Sequence, residues 1–144
     1  NNHKAHVNNI KHNKKKTFDT KPNIQDMVST FYYLRNNLDI ENLKINDEVE
    51  VNMFFDEENY GFKLRYLGTE IINTNFGKVN TLKFRPYVMA GRVFKEEESL
   101  TLWVSNDKNR IPLRIKADLA VGSLRADLDA FKGLKHPFNI IVKN

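Results

Sequence analysis

Asp127 and Asp129 are the residues whose spacing best fits catalysis. In an extended strand they lie on one face about 6.6 Å apart, at ~3.3 Å per residue, within the range of the carboxylate pairs of glycoside hydrolases. The alternative is a charge ladder, because Arg114 and Lys116 supply opposite charges on the strand predicted to pair with this one. The ladder is favoured, since Arg125, Asp127 and Asp129 alternate with small apolar residues.

Other chemistry has little support. There is no cysteine, and none of the four serines lies in a G-x-S-x-G motif. The acidic runs at 56–58 and 96–98 lack the alternating oxygen ligands of an EF-hand and are predicted to be solvated loops. His6 and His12 would share a strand face but lie about 20 Å apart. The sequence therefore predicts no catalytic residue, no metal site and no cofactor, and it favours a protein that is not an enzyme.

Three aromatic residues are the candidates for ligand contacts. Trp103 shares a strand face with Thr101 and Ser105, opposite an apolar face, and Phe54 lies among polar residues in the same way. Tyr66 lies on the strand that follows Phe54. An aromatic side chain on a polar face either lines a ligand groove or is covered by a helix, and both interpretations stay open. In the first case, Trp103, Phe54 and Tyr66 would contact a lipid or another apolar ligand.

The positive charge is concentrated at the start of the chain. The net charge is +5, from 23 Lys and Arg against 18 Asp and Glu, and residues 1–22 contain six of the lysines and one acid. The rest of the chain is balanced, which argues against nucleic acid as a partner. Residues 1–22 are predicted to form a basic edge strand and a hairpin, with its turn at 13–16.

One helix is predicted, over residues 23–37. Its apolar stripe follows helical spacing, with Asn23 as the N-cap and an acid, Asp26, three residues later. The stripe consists of Ile24, Met27, Val28, Phe31 and Leu34. Such a helix is expected to plug or cover a sheet.

Over residues 47–134, apolar and polar residues alternate with the period of two that is typical of antiparallel strands. Gly68 is interpreted as a turn, and Pro86 as the disruption of a strand. The fold class is therefore mainly β: a curled antiparallel meander, either a half-open barrel or a β-roll, of about seven to eight strands with one α-helix packed on it. Residues 1–144 are expected to form a single domain, and no run of residues is apolar enough for a transmembrane segment.

Several short motifs, taken in order, resemble domain-of-unknown-function family 3108. They include Tyr66-Leu67-Gly68, Phe76-Gly77-Lys78, Lys83-Phe84-Arg85-Pro86, Gly91-Arg92-Val93-Phe94-Lys95 and Leu100-Thr101-Leu102-Trp103-Val104-Ser105. The resemblance covers residues 20–134. It implies a protein exported by Gram-negative bacteria, periplasmic or associated with the outer membrane, of which this chain is the C-terminal part. It carries over no catalytic residue, because none is established for the family.

The sequence and the resemblance together favour a non-enzymatic domain of the cell envelope. Such a domain would bind an apolar or amphipathic ligand, or an envelope protein, through its curled sheet. Two alternatives stay open. The first is a hydrolase of envelope polymers that uses a carboxylate pair such as Asp127 and Asp129, or the loop at 96–98. The second is a purely structural assembly module.

Overall fold

The computed structural model describes residues 3–88 and 100–141. These residues form eight strands and one α-helix, as the sequence predicted. The strands are β1 (Lys4–Asn9), β2 (Lys14–Asp19), β3 (Glu48–Phe55), β4 (Glu58–Thr74), β5 (Gly77–Val88), β6 (Leu100–Ser105), β7 (Pro112–Asp118) and β8 (Ser123–Asp127), and the helix is α1 (Met27–Asn37).

The strands form two antiparallel sheets. One contains β1 and β2, and the other is a six-stranded meander in the order β3-β4-β5-β6-β7-β8. Every neighbour in the meander is the next strand in sequence, and β3 and β8 do not pair with each other, so the sheet is not closed over the described residues. The predicted fold class, a mainly β curled meander with one helix, is confirmed.

The hairpin of β1 and β2 differs from its prediction at the turn. The turn spans residues 10–13 and has Asn13 in the left-handed region, at φ 48°. Lys14, Lys15 and Lys16 are strand residues that pair with β1 rather than turn residues. The hairpin contacts the larger sheet where the Phe18 ring lies 5.6 Å from that of Phe54.

Strand β4 continues through Gly68, which was predicted to turn the chain. The pairing of β4 with β5 shifts by one residue between Tyr66 and Gly68, so Gly68 belongs to a β-bulge. Its φ of 102° is one that glycine adopts without strain, which explains why a glycine can mark a bulge as readily as a turn.

Strand β5 also continues through Pro86, where the sequence predicted a disruption. Pro86 pairs in register with Leu64 of β4. On its other side, the pairs that β5 forms with β6 among residues 3–88 and 100–141 run from Thr81 to Phe84. Proline has no backbone N–H to donate to a neighbouring strand. Pro86 lies beyond the pairs between β5 and β6, which is a position where a strand tolerates proline.

Helix α1 begins four residues later than the start predicted at Asn23. Asn23 has a φ of 55°, whereas an N-cap residue needs extended backbone. Asp26 is the N-cap instead, and its carboxylate accepts hydrogen bonds from the backbone N–H groups of Val28 and Ser29, both at 2.8 Å. The Ser29 hydroxyl lies 2.9 Å from the Asp26 backbone N–H and completes a capping box.

The apolar interior consists of two clusters. The first lies between α1 and the sheet and contains Leu34, Leu82, Phe84 and Leu102 among its buried members. The second contains Ile72, Val79, Trp103, Ile111 and Leu113, and the segment after β8 packs against it through Leu128, Leu134 and Phe138. The helix and this C-terminal segment therefore cover different parts of the same sheet.

Candidate functional site

An apolar groove of about 430 Å³ lies between α1 and the sheet. Its floor consists of apolar side chains from the three central strands: Leu64, Leu82, Phe84, Leu102 and Val104. These side chains share a face because residues two apart in a strand point the same way, and the strands place them side by side. A pocket of this volume and lining is typical of small-molecule sites.

Helix α1 forms one wall of the groove. The predicted stripe is divided in the structure, because Leu34 is buried in the first cluster while Val28 is 66% exposed and Phe31 40%. Both of these exposed residues line the groove, together with Tyr32. Thr30, which is not part of the stripe, is buried, and its hydroxyl donates to the backbone oxygen of Asp26. The helix therefore covers the sheet with only part of its apolar surface.

The opposite wall comes from the start of β7, the residue before it and the segment that follows β8. It consists of Ile111, Pro112, Leu128 and Phe131. A fully buried residue of the β6–β7 turn, Asn109, anchors this segment. Its amide nitrogen donates to the backbone oxygens of His136 and Pro137, at 2.9 and 3.0 Å, and its oxygen accepts from the His136 backbone N–H at 3.0 Å. The Asn109 side chain thus holds the wall through hydrogen bonds to backbone groups, in addition to the Leu128 backbone N–H, which donates to the Leu113 oxygen at 2.8 Å.

Two arginines are the charged residues among the described residues that line the groove. Arg110 has a φ of 50°, and Asp107 stabilises this turn by accepting from the backbone N–H groups of Asn109 and Arg110. The Nη1 of Arg110 donates to the backbone oxygens of Arg35 and Leu38, both at 2.9 Å. Arg110 thereby satisfies carbonyls at the C-terminal end of α1, the end from which Arg35 extends.

Trp103 was a predicted ligand residue, and the structure places it in the second cluster, outside the groove. It is 7% exposed, and its indole N–H donates to a Glu70 carboxylate oxygen at 3.0 Å. Lys83 forms an ion pair with the same carboxylate at 2.9 Å and lies 5.4 Å from the indole centroid. The hydrogen bonds from Lys83 and Trp103 lower the pKa of Glu70.

The other two predicted ligand residues also contact protein. Tyr66 is buried in the first cluster, with its ring 5.4 Å from that of Phe84. The half-buried Phe54 contacts Phe18 of the hairpin. Neither lines the groove, and the three residues are not brought together. A ligand contact at Trp103, Phe54 or Tyr66 stays a prediction.

Of the two carboxylates considered for hydrolysis, Asp127 belongs to a charge ladder and Asp129 does not. Asp127 pairs in register with Arg114, whose Nε donates to Asp127 Oδ1, and Arg125 Nε lies 2.9 Å from Asp127 Oδ2. Both oxygens of Asp127 are therefore engaged. Asp129 lies after the strand, 3.5 Å from the amide nitrogen of Asn75. The glutamates at 96–98 lie outside the described residues.

The most perturbed carboxylate of the described residues is Glu48, at the start of β3. Its Oε1 accepts from the Tyr87 hydroxyl at 2.5 Å and from Arg65 Nη2 at 2.8 Å, and Lys63 lies 3.2 Å from Oε2. These hydrogen bonds, with that of Tyr87 the largest, lower the pKa of Glu48 to about 2. Burial and the hydrogen bond to Glu48 raise the pKa of Tyr87. Such a carboxylate stays ionised near neutral pH and cannot serve as a general acid.

No cluster of three His, Asp or Glu side chains that could hold a metal ion occurs in residues 3–88 and 100–141. Over the same residues, no helix combines the length and the apolar character needed to cross a bilayer.

Comparison with known families gives one match. The model of the family described as "Protein of unknown function (DUF3108)" matches residues 1–129. The chain belongs to this family. No curated protein and no solved structure matches the chain. The DUF3108 resemblance predicted from short motifs is confirmed, and it extends over the basic hairpin.

None of the residues that line the groove of this DUF3108 chain was singled out as a site residue by the sequence; Val28, Tyr32, Arg35 and Arg110 are examples. Val28 fits a core stripe as well as a groove wall, and Arg35 resembles an ordinary basic residue in the last turn of a helix. One signal in the sequence could have indicated the groove. Tyr32 and Tyr33 flank the stripe, so the apolar face of α1 is wider than the part of it that packing against the sheet can bury.

Proposed function

We propose that this DUF3108 chain binds an apolar or amphipathic ligand in the groove between α1 and the sheet, without catalysing a reaction on it. The observation that carries the proposal is the groove itself. It has a volume of about 430 Å³, and it is lined by exposed apolar side chains, with Val28 at 66% exposed and Phe31 and Phe131 each at 40%. The groove leaves this apolar surface exposed to water between its two walls. A hydrophobic ligand that covers such surface binds favourably.

A binding role fits the chemistry of the described residues better than hydrolysis does. Both oxygens of Asp127 are held by arginines, and Glu48 is held ionised by three donors. The groove walls described above contain no carboxylate. A general acid and a base would need to face a bound substrate.

The proposal includes an extracytoplasmic setting, either the periplasm or the outer-membrane region. Its support is the resemblance to exported proteins of Gram-negative bacteria. Fractionation of cells that produce the protein tests this part: recovery with the envelope fractions is expected, and recovery with cytoplasmic markers would contradict it.

Titration with N-phenylnaphthylamine, a neutral dye that fluoresces in apolar surroundings, tests the binding proposal. The test variant replaces two exposed groove residues, Val28→Gln with Tyr32→Gln. The matched control replaces two exposed apolar residues away from the groove, Val121→Gln with Leu124→Gln. All four side chains are at least half exposed, so both variants are expected to fold.

The wild-type chain is expected to bind the dye at one saturable site. Each groove substitution removes part of an apolar contact, about 1 kcal/mol at ~0.8 kcal/mol per buried CH2, so the double variant should bind about tenfold to thirtyfold more weakly. The control should bind like the wild type. Absence of saturable binding, or equal affinities for all three proteins, would overturn the proposal.

A further inference from the structure

We infer that the groove selects anionic amphiphiles, molecules with one alkyl chain and a negatively charged head group, and that Arg35 contacts the head. This inference rests on the proposed function, because it names the class of ligand for the same groove. It starts from the charge of the lining: the charged residues found there among the described residues are Arg35 and Arg110, and both are basic.

The guanidinium of Arg35 is available to a ligand. It makes no hydrogen bond and no ion pair with any residue in the part of the chain that the structure describes. Arg35 is only half buried, so water solvates it in the absence of ligand. A planar guanidinium that lines an apolar groove without a protein partner matches a carboxylate or phosphate group.

Arg110 adds a second positive charge at the same end of the groove. Its Nη1 is used by the carbonyls of Arg35 and Leu38, which fixes the guanidinium against the last turn of α1. Its remaining N–H groups donate to none of the described residues. The helix end contributes about half a negative charge, so the two arginines leave this end of the groove positive.

The acids nearest in sequence use their carboxylates in other hydrogen bonds. The Oδ1 of Asp107 accepts hydrogen bonds from the Ser105 hydroxyl and from the backbone N–H groups of Asn109 and Arg110. Asp39, one residue after the C-cap of α1, accepts from the Asn42 amide. Neither forms an ion pair with Arg35 or Arg110 within the described ranges, and neither lines the groove.

The geometry therefore separates two parts of a ligand. The alkyl chain lies against the exposed apolar side chains of Val28, Phe31 and Phe131, and the head lies at the C-terminal end of α1. A cationic amphiphile would meet two positive charges there, and a neutral one would leave Arg35 without a partner. A carboxylate and a phosphate head share the recognised chemistry, so the experiment includes both.

Competition against the bound neutral dye tests the inference with four ligands of one chain length: decanoate, decyl phosphate, decanol and decylammonium. At pH 7.5 the carboxylate is ionised, because its pKa lies near that of an ordinary carboxyl group. All four are used below the concentration at which they form micelles. The test variant is Arg35→Gln, and Lys78→Gln, an exposed residue outside the groove, makes the same change in charge elsewhere.

The wild type is expected to bind decanoate or decyl phosphate about tenfold to a hundredfold more tightly than decanol, the range for a charged hydrogen bond, and decylammonium most weakly. The tighter of the two anions identifies the head group. Arg35→Gln should abolish most of this preference without changing the affinity for decanol, and Lys78→Gln should keep it. High salt should reduce the preference of the wild type.

Each other outcome is decisive. Equal binding of decanol and the anions by the wild type would overturn the inference and leave the proposed function standing. An anion preference that survives Arg35→Gln would also overturn it. Failure of both the dye and all four ligands to bind would overturn the proposed function together with the inference.

Discussion

Asn109→Ala tests whether one buried side chain fixes the C-terminal wall of the groove. The substitution removes three hydrogen bonds and leaves two backbone oxygens and one N–H of the segment without their partner. An unsatisfied buried group costs about 1–3 kcal/mol. His136 is half buried and Pro137 exposed, so the lower value applies to each group. The free energy of unfolding should therefore fall by about 3 kcal/mol.

Urea unfolding followed by the fluorescence of Trp103 measures this loss. Trp103 is the only tryptophan, and it lies in the cluster that the segment covers. With a slope of about 2 kcal/mol per molar urea for a chain of this size, a loss of 3 kcal/mol lowers the midpoint by about 1.5 M. Limited proteolysis should also cleave the variant faster between residues 128 and 141.

Asn139→Ala is the control, since Asn139 is exposed in the same segment and its side chain makes no hydrogen bond with the described residues. It should unfold within about 0.5 kcal/mol of the wild type. If Asn109→Ala does the same with an unchanged slope, the three hydrogen bonds contribute no net stability. The account of how this wall is fixed would then be refuted.

Three further predictions concern the floor, the first turn of α1 and the start of β3. Leu82 is 1% exposed, and Leu82→Ala should lower the free energy of unfolding by about 2–5 kcal/mol. Leu124→Ala, at an exposed residue, should change it by less than about 0.5 kcal/mol, and equal losses in the two variants would contradict the packing described. Asp26→Ala removes the N-cap and should lower the free energy of unfolding by about 1 kcal/mol, whereas Glu41→Ala, at an exposed residue, should leave it almost unchanged. If Asp26→Ala were as stable as the wild type, that result would contradict the cap. Glu48 has its pKa lowered from 4.5 to about 2 on folding, so its contribution to stability is complete above about pH 5 and is lost as the pH falls towards 2. The urea midpoint of Glu48→Gln should therefore lie below that of the wild type at pH 7, and the difference should shrink towards pH 2; a difference independent of pH would contradict the assignment.

The long amphipathic strands could be predicted because their signal is local. In β7 and β8 the period of two extends over nearly the whole strand, and Gly122, between them, supplies the turn with a φ of 82°. The charge ladder followed from the same alternation, since residues on one face of paired strands must be neighbours.

Features decided by long-range contacts could not be predicted. Asn23 and Asp26 are both good N-caps by residue type. The choice depends on Gln25, which bridges to Met53 of β3 and keeps residues before Asp26 out of the helix. The groove depends likewise on how closely α1 approaches the sheet, which no periodicity encodes. Arg110 reaches the end of α1 only because a turn distant in sequence takes a positive φ.

The hairpin of β1 and β2 has a consequence for how the molecule opens. Two strands alone are only marginally stable in water, and nearly all side chains of this pair are exposed or half exposed. Its contacts with the larger sheet include the Phe18–Phe54 ring pair and the Lys16–Glu57 ion pair. The hairpin should therefore unfold locally at a lower free energy than the meander, and its amide hydrogens should exchange with solvent first. The basic segment of the chain would then extend as a charged strand while the groove stays intact.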